Sequence, residues 1–120
     1  MKNTSLLALW IVPNKAPLRP IALHEKTIAN QLPKKRAYQY QHSRGYLREV
    51  LSTLFNIPPL EIPLNSAPGK PPELGIGYGY TSLSHCSDAL LIGWSENKLG
   101  VDIENKKRKF RADLIANRYF

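Results

Sequence analysis

Cysteine, acidic residues and long apolar runs are all scarce in this sequence of 120 residues. The single cysteine, Cys86, excludes an internal disulfide framework and a cysteine-cluster zinc site, which agrees with a reducing compartment. No run approaches the roughly 18 apolar residues of a membrane span, and the apolar stretch at 5–12 is too short for a signal peptide. We therefore expect one cytoplasmic domain with no membrane partner.

The shortage of acids leaves the chain strongly basic, with 17 lysines and arginines against nine acids and a formal charge of +8. Most of this surplus lies in residues 1–57, which contain nine bases and only two acids. A surplus of this size indicates an anionic partner, such as nucleic acid, a phosphorylated cofactor or an acidic protein. Charge by itself does not choose among them.

The hydrophobic pattern predicts a small α+β domain, because 42% hydrophobic residues suffice for one core. Residues 44–55 form the strongest amphipathic helix, with an apolar face made by Leu47, Val50, Leu51, Leu54 and Phe55. A weaker helical segment is expected at 24–31. Strands are expected at 5–12, 60–64, 80–85, 89–94 and 99–104, the last three as a β-meander. The expected fold is thus a small antiparallel sheet packed on an amphipathic helix.

Asp102 and Glu104 are separated by one residue on a predicted strand, so both carboxylates project from the same face. A hard divalent cation relieves their repulsion, and Mg²⁺ accepts one or two carboxylates together with phosphate oxygens and waters. The alternative is a solvated strand end, paired with Lys106 or Arg108. The two carboxylates alone do not decide between these interpretations.

Lys70, Ser84 and His85 offer the donors of an anion pocket, because an ammonium, a hydroxyl and a charged imidazole all donate to phosphate oxygens. His85 alone is more typical of a structural histidine. Ser84 has no identifiable acidic third member for a hydrolase triad. Cys86 is interpreted as a small strand residue and not as a nucleophile.

The order of these pieces is more specific than any one of them. Arginines at 44 and 48 on a helix are followed by GKP at 69–71, SHC at 84–86 and GVDIE at 100–104. This order resembles that of the Sfp-type 4′-phosphopantetheinyl transferases, over roughly residues 32–120. Cys86 replaces the second serine that is usual in the family.

The resemblance implies an Mg²⁺-dependent enzyme that transfers phosphopantetheine from coenzyme A to a serine of an acyl or peptidyl carrier protein. It implies that Asp102 and Glu104 hold the metal against the diphosphate. It places Gly69, Lys70 and Pro71 along the adenosine, and Ser84 and His85 at the phosphates, with His85 near the 3′-phosphate. Mn²⁺ remains an alternative metal.

Arg44 and Arg48 are weaker members of this implied set of coenzyme A contacts, because they also fit the polar face of an amphipathic helix. The basic run at 34–36 has a similar pair of interpretations, as a nucleotide contact or as a solvated loop. The basic run at 106–111 either attracts an acidic carrier protein or is simply solvated.

The family continues into a second α/β half that carries W-x-x-K-E-x-x-x-K, which supplies another metal ligand and phosphate-binding lysines. We therefore expect residues 1–120 to be an N-terminal half without its C-terminal half, with little or no turnover alone. An uncovered apolar surface is expected to invite self-association or a partner, with contributions from Leu114, Ile115, Tyr119 and Phe120.

Two other functions stay open at the level of sequence. A basic nucleic-acid-binding module is supported by net charge only, because no RNA- or DNA-binding motif is recognisable. A non-catalytic fragment or scaffold is the second. The carrier protein, and whether acyl-coenzyme A is also accepted, cannot be read from the residues.

Overall fold

A central strand organises the fold, which the computed structural model describes over residues 7–65, 67 and 70–98. These residues form a small α+β domain of two helices and a small antiparallel sheet. Its elements in order are β1 (Leu7–Pro13), α1 (Leu23–Asn30), α2 (Lys34–Phe55), a 3-10 turn (Pro59–Glu61), β2 (Leu64–Asn65), β3 (Glu73–Leu74), β4 (Tyr80–His85) and β5 (Ala89–Ser95).

β5 is the middle strand of a three-stranded antiparallel sheet with the order β1-β5-β4. Trp10 of β1 and Leu83 of β4 both lie opposite Ile92. All seven residues of β5 are buried, which explains its nearly continuous apolar sequence. The strand expected at 80–85 is confirmed as β4, and the one expected at 89–94 is confirmed as β5, which extends one residue further, to Ser95. The third strand of the expected meander, 99–104, lies outside the described residues, and β1 occupies the second edge of β5. The remaining two strands, β2 and β3, form a separate pair.

α2 packs its apolar face on this sheet. Leu47 and Leu51 are fully buried in a cluster that includes Val12, Leu90 and Ile92. Leu54, expected on the same face, is instead exposed. Asn56 ends the helix in a left-handed conformation just before Pro58 and Pro59, as the prolines predict.

α2 begins ten residues before the helix that the sequence predicts, and this is a correction. The basic run at 34–36 is its first turn, following Pro33, so the loop interpretation of these residues is wrong. The first half of α2 carries aromatic and polar residues in place of an aliphatic stripe, and aliphatic spacing alone therefore misses it.

A buried ion pair joins the two helices. Arg48 Nε donates to Glu25 Oε1 at 2.7 Å, and the two side chains are 1% and 0% exposed. The other end of the guanidinium donates to the carbonyl oxygens of Pro59 and Ile62. Glu25 Oε1 also accepts from the backbone N–H of Ala22 at the start of α1. One pair therefore links α1, α2 and the 3-10 turn.

The approach to β4 is a glycine-rich turn. Gly77 and Gly79 both have positive φ, of 90° and 85°, which a glycine adopts at little cost. The indole N–H of Trp94 donates to the carbonyl of Tyr78 at 2.8 Å, so the turn is fastened to β5. Among the described residues, no helix has both the length and the apolar character needed to cross a membrane.

Candidate anion-binding site

A small cavity of about 120 Å³ lies where α2 meets the end of β4. Helical spacing brings Arg36, Tyr40, Ser43 and Arg44 to one side of α2, at intervals of four and three residues. His85 closes the cavity from the sheet. Leu32 and Gln39 complete its lining. Two guanidinium groups and an imidazole thus share one cavity, although they come from distant parts of the sequence.

Arg44 is the buried cation of this cavity, with only 7% of its surface exposed. Its Nη1 donates to Ser43 Oγ at 3.0 Å and its Nη2 to the carbonyl of Ala67 at 3.3 Å. The guanidinium lies over the Tyr40 ring, 4.7 Å from the ring centroid. These three partners are uncharged. Its Nε is buried and has no hydrogen-bond partner among the described residues.

The protonation of Arg44 carries a cost that an anion would offset. Burial lowers the pKa of Arg44 from its ordinary value, and Tyr40 and Glu25 oppose this shift. Arginine nevertheless stays charged in proteins, so a buried guanidinium calls for negative charge or strong acceptors. The unsatisfied Nε and the lowered pKa both follow from the burial of this guanidinium, and a buried guanidinium with uncharged hydrogen-bond partners suits an anion.

His85 contributes a neutral imidazole to the cavity near pH 7. Burial lowers the pKa of His85, and the positive charges of Arg44 and His42 lower it further. The residue ends β4 and remains exposed at its outer side. Its ring therefore acts as a hydrogen-bond donor through one nitrogen near neutrality, and as an added positive charge in acid.

We expect sulfate to bind this cavity more tightly as the pH falls below the ordinary pKa of histidine. Protonated His85 attracts the anion, which should raise sulfate affinity by roughly two- to fivefold for a partly exposed ion pair, and the lowered pKa of His85 confines this gain to acid pH. Sulfate keeps its charge over this range, and its affinity at pH 5 and 7.5 can be measured by isothermal titration calorimetry. The His85→Asn variant should lose the increase and His24→Asn should keep it. An unchanged pH profile in His85→Asn would contradict this assignment.

The other residues that the sequence singled out lie in different places. Lys70 and Pro71 are exposed, and neither lines the cavity. Arg44 nevertheless reaches toward their loop through its bond to Ala67. Ser84 is half-buried, and because neighbouring strand residues face opposite sides, it projects away from the face of His85. Gly69, Asp102 and Glu104 lie outside the described residues.

Arg48 does not reach the cavity. Its guanidinium is fully buried and occupied by Glu25 and two carbonyl groups. We therefore assign Arg48 to the fold and leave it out of the candidate site. Arg44 and Arg48 are four residues apart on one helix, so their spacing does not predict that only Arg44 lines the cavity. The difference comes from the residues that each side chain contacts.

Two further cavity residues, Tyr40 and Ser43, have a role that the sequence reasoning missed, whereas Arg36 belongs to the basic run for which it offered a nucleotide contact as one interpretation. Extending α2 back to Pro33 would have found them, since Arg36, Tyr40 and Arg44 then recur every four residues.

Comparison of the chain with protein-family models, curated proteins and solved structures finds no match.

Within the described residues, no group of three or more His, Cys, Asp or Glu side chains is arranged to hold a metal ion. The described site has arginine and imidazole donors, which suit phosphate and not a cation. Any metal site at Asp102 and Glu104 therefore stays a prediction from the sequence.

Proposed function

We propose that this protein is a 4′-phosphopantetheinyl transferase that uses coenzyme A and Mg²⁺ to modify a serine of an acyl or peptidyl carrier protein. One observation carries the proposal: His85, which the sequence resemblance puts near the 3′-phosphate of coenzyme A, lines one cavity with Arg44, a weaker member of the implied coenzyme A contacts. They are far apart in the sequence and belong to a helix and a strand. A shared cavity is what joint recognition of one phosphate requires.

The cavity supplies the binding part of the reaction. Arg36 and Arg44 would neutralise a phosphate monoester, and the imidazole of His85 would donate to one of its oxygens. Tyr40 and Ser43 hold the Arg44 guanidinium in place before the ligand arrives. Anchoring the nucleotide end of coenzyme A fixes the position of the diphosphate along the chain, and positioning is a major part of catalysis in phosphoryl transfer.

The chemical step is attack of the carrier serine hydroxyl on the phosphorus next to pantetheine. The new serine O–P bond forms as the hydroxyl proton leaves, and the P–O bond to adenosine 3′,5′-bisphosphate breaks. Asp102 and Glu104 are the residues that would hold Mg²⁺. When bound, the metal supplies charge neutralisation on the diphosphate oxygens.

The test compares coenzyme A with 3′-dephospho-coenzyme A by isothermal titration calorimetry on the full chain with Mg²⁺. We expect the Arg44→Gln variant to bind coenzyme A about 10- to 100-fold more weakly, the value of a hydrogen bond to a charged group. It should bind the dephospho compound as the parent chain does, because the lost contact is to the 3′-phosphate.

The matched control is Lys26→Gln, an exposed residue on α1 that does not line the cavity. It should bind coenzyme A as the parent chain does. Asp102→Ala should remove only the part of binding that depends on Mg²⁺. Equal affinity of the parent chain for both compounds, or coenzyme A binding that excess chelator leaves unchanged, would overturn the proposal.

A further inference from the structure

A second and larger cavity, of about 600 Å³, lies beside the arginine cavity. It is formed by the first half of α2, by Asn14 after β1, and by the residues that end β4. It shares only Gln39 and His85 with the smaller cavity, and neither Arg36 nor Arg44 lines it. A volume of this size accommodates a drug-sized organic molecule.

Three polar side chains of its walls, those of Asn14, His42 and Cys86, are already hydrogen-bonded to the backbone. Asn14 Nδ2 donates to the carbonyl oxygens of Cys86 and Ser87, at 3.2 and 3.0 Å. His42 Nε2 lies 3.2 Å from the carbonyl oxygen of Pro13. The Cys86 thiol donates to the carbonyl of Ala89. These side chains therefore offer a ligand mainly their carbon atoms, ring faces and sulfur.

Two aromatic rings give the cavity a flat wall. Tyr38 and His42 lie one helical turn apart, with their ring centroids 6.1 Å apart and their planes inclined by 21°. His42 is buried and fixes this arrangement, while the Tyr38 side chain is 47% exposed. An exposed ring in a stacked pair favours a planar ligand group that extends the stack.

The charge at this cavity is positive. Lys34 and Lys35 line it, and no acidic residue of the described chain does. Both lysines stand in the first turn of α2, which contains no acid and has no side-chain cap. The helix macrodipole disfavours positive charge at this end, so an anion there would relieve an unfavourable arrangement.

From these features we infer that the large cavity binds a small planar organic anion, an aromatic carboxylate or sulfonate. The ring of the ligand lies against Tyr38 and His42, and its charged group lies between Lys34 and Lys35. The inference goes beyond the proposed transferase activity and does not depend on it, because it uses neither the arginine cavity nor a metal.

The probe is 2-naphthoate, with 2-naphthalenemethanol as the uncharged molecule of nearly the same shape. Titration of the ¹⁵N-labelled full chain should move the amide resonances of residues 34–42 and 85–86. We expect the alcohol to bind more weakly than naphthoate. The double variant Lys34→Gln with Lys35→Gln should lower the affinity for naphthoate by roughly two- to fivefold. Tyr38→Ala should weaken both compounds by roughly two- to tenfold.

Lys26→Gln with Lys15→Gln is the matched control, since it removes the same charge away from the lining of the cavity, and it should leave naphthoate affinity unchanged. Occupancy of the cavity by naphthoate should also slow the alkylation of Cys86 by iodoacetamide, measured by mass spectrometry.

Arg44→Gln separates the two proposals, because it should weaken the binding of coenzyme A and leave the affinity for naphthoate unchanged. Equal binding of acid and alcohol, shifts outside the cavity, or full displacement of naphthoate by adenosine 3′,5′-bisphosphate would each overturn the inference.

Discussion

The Arg48→Ala variant is expected to lose about 3–5 kcal/mol of unfolding free energy. The change leaves the Glu25 carboxylate buried at 0% exposure without its partner, and it also removes the donors to Pro59 and Ile62. Urea denaturation followed by tryptophan fluorescence measures the loss, since Trp10 packs against the core cluster and Trp94 belongs to it. Because small domains have about 5–15 kcal/mol in total, the variant should unfold at a clearly lower urea concentration than the parent chain.

Two comparisons make this expectation specific. Lys26→Ala, an exposed neighbour of Glu25, should change stability by about 0.5 kcal/mol or less. The double variant Glu25→Leu with Arg48→Met should be more stable than Arg48→Ala, because it buries no unpaired charge. A loss under about 1 kcal/mol in Arg48→Ala would show that the pair carries little of the fold.

Gly79→Ala is expected to destabilise the protein by about 2–5 kcal/mol, from two additive causes. A left-handed φ costs a residue with a Cβ about 1–2 kcal/mol. In addition, the new Cβ would lie 2.6 Å from the Ser95 carbonyl oxygen and 2.7 Å from Trp94 Nε1, and such overpacking costs about 1–3 kcal/mol. Trp94 is a core residue, so its ring cannot move aside freely.

Gly77→Ala provides the matched control for this prediction. Its φ is similar, at 90°, but a Cβ there would have no heavy atom within 4 Å. It should therefore show only the backbone cost, about 1–2 kcal/mol. Thermal unfolding of both variants by circular dichroism gives the comparison. Equal losses would mean that the contact with Trp94 and Ser95 contributes nothing.

The sequence predicted the strands of the hairpin well, because β5 is an almost continuous apolar segment and turn residues bound both strands. It missed the first half of α2, where Tyr38, Tyr40 and His42 serve two cavities in place of an aliphatic core. The sequence also did not predict the pairing of β1 with β5. These strands are far apart in the sequence, and tertiary packing decides which distant strands pair.

For the candidate site, the sequence analysis named Arg44 and His85. It did not distinguish Arg44 from Arg48, because both were given as equally weak contacts to coenzyme A. Arg44 faces a cavity and uncharged partners, while Arg48 faces Glu25 on a different helix. That distinction depends on how α1 crosses α2, which local sequence patterns do not encode. The missing cavity residues follow directly once the helix is given its full length.

The arrangement of β1 beside β5 also has a consequence for synthesis on the ribosome. Leu7 pairs with Ser95, so β1 must wait for the synthesis of β5 before it can join the sheet. At translation speeds of 5–20 residues per second, that delay is roughly 5–20 s. During it, an apolar strand is available to chaperones and to other nascent chains. Contacts between residues so far apart in the sequence slow folding, so β1 should join the sheet late in folding.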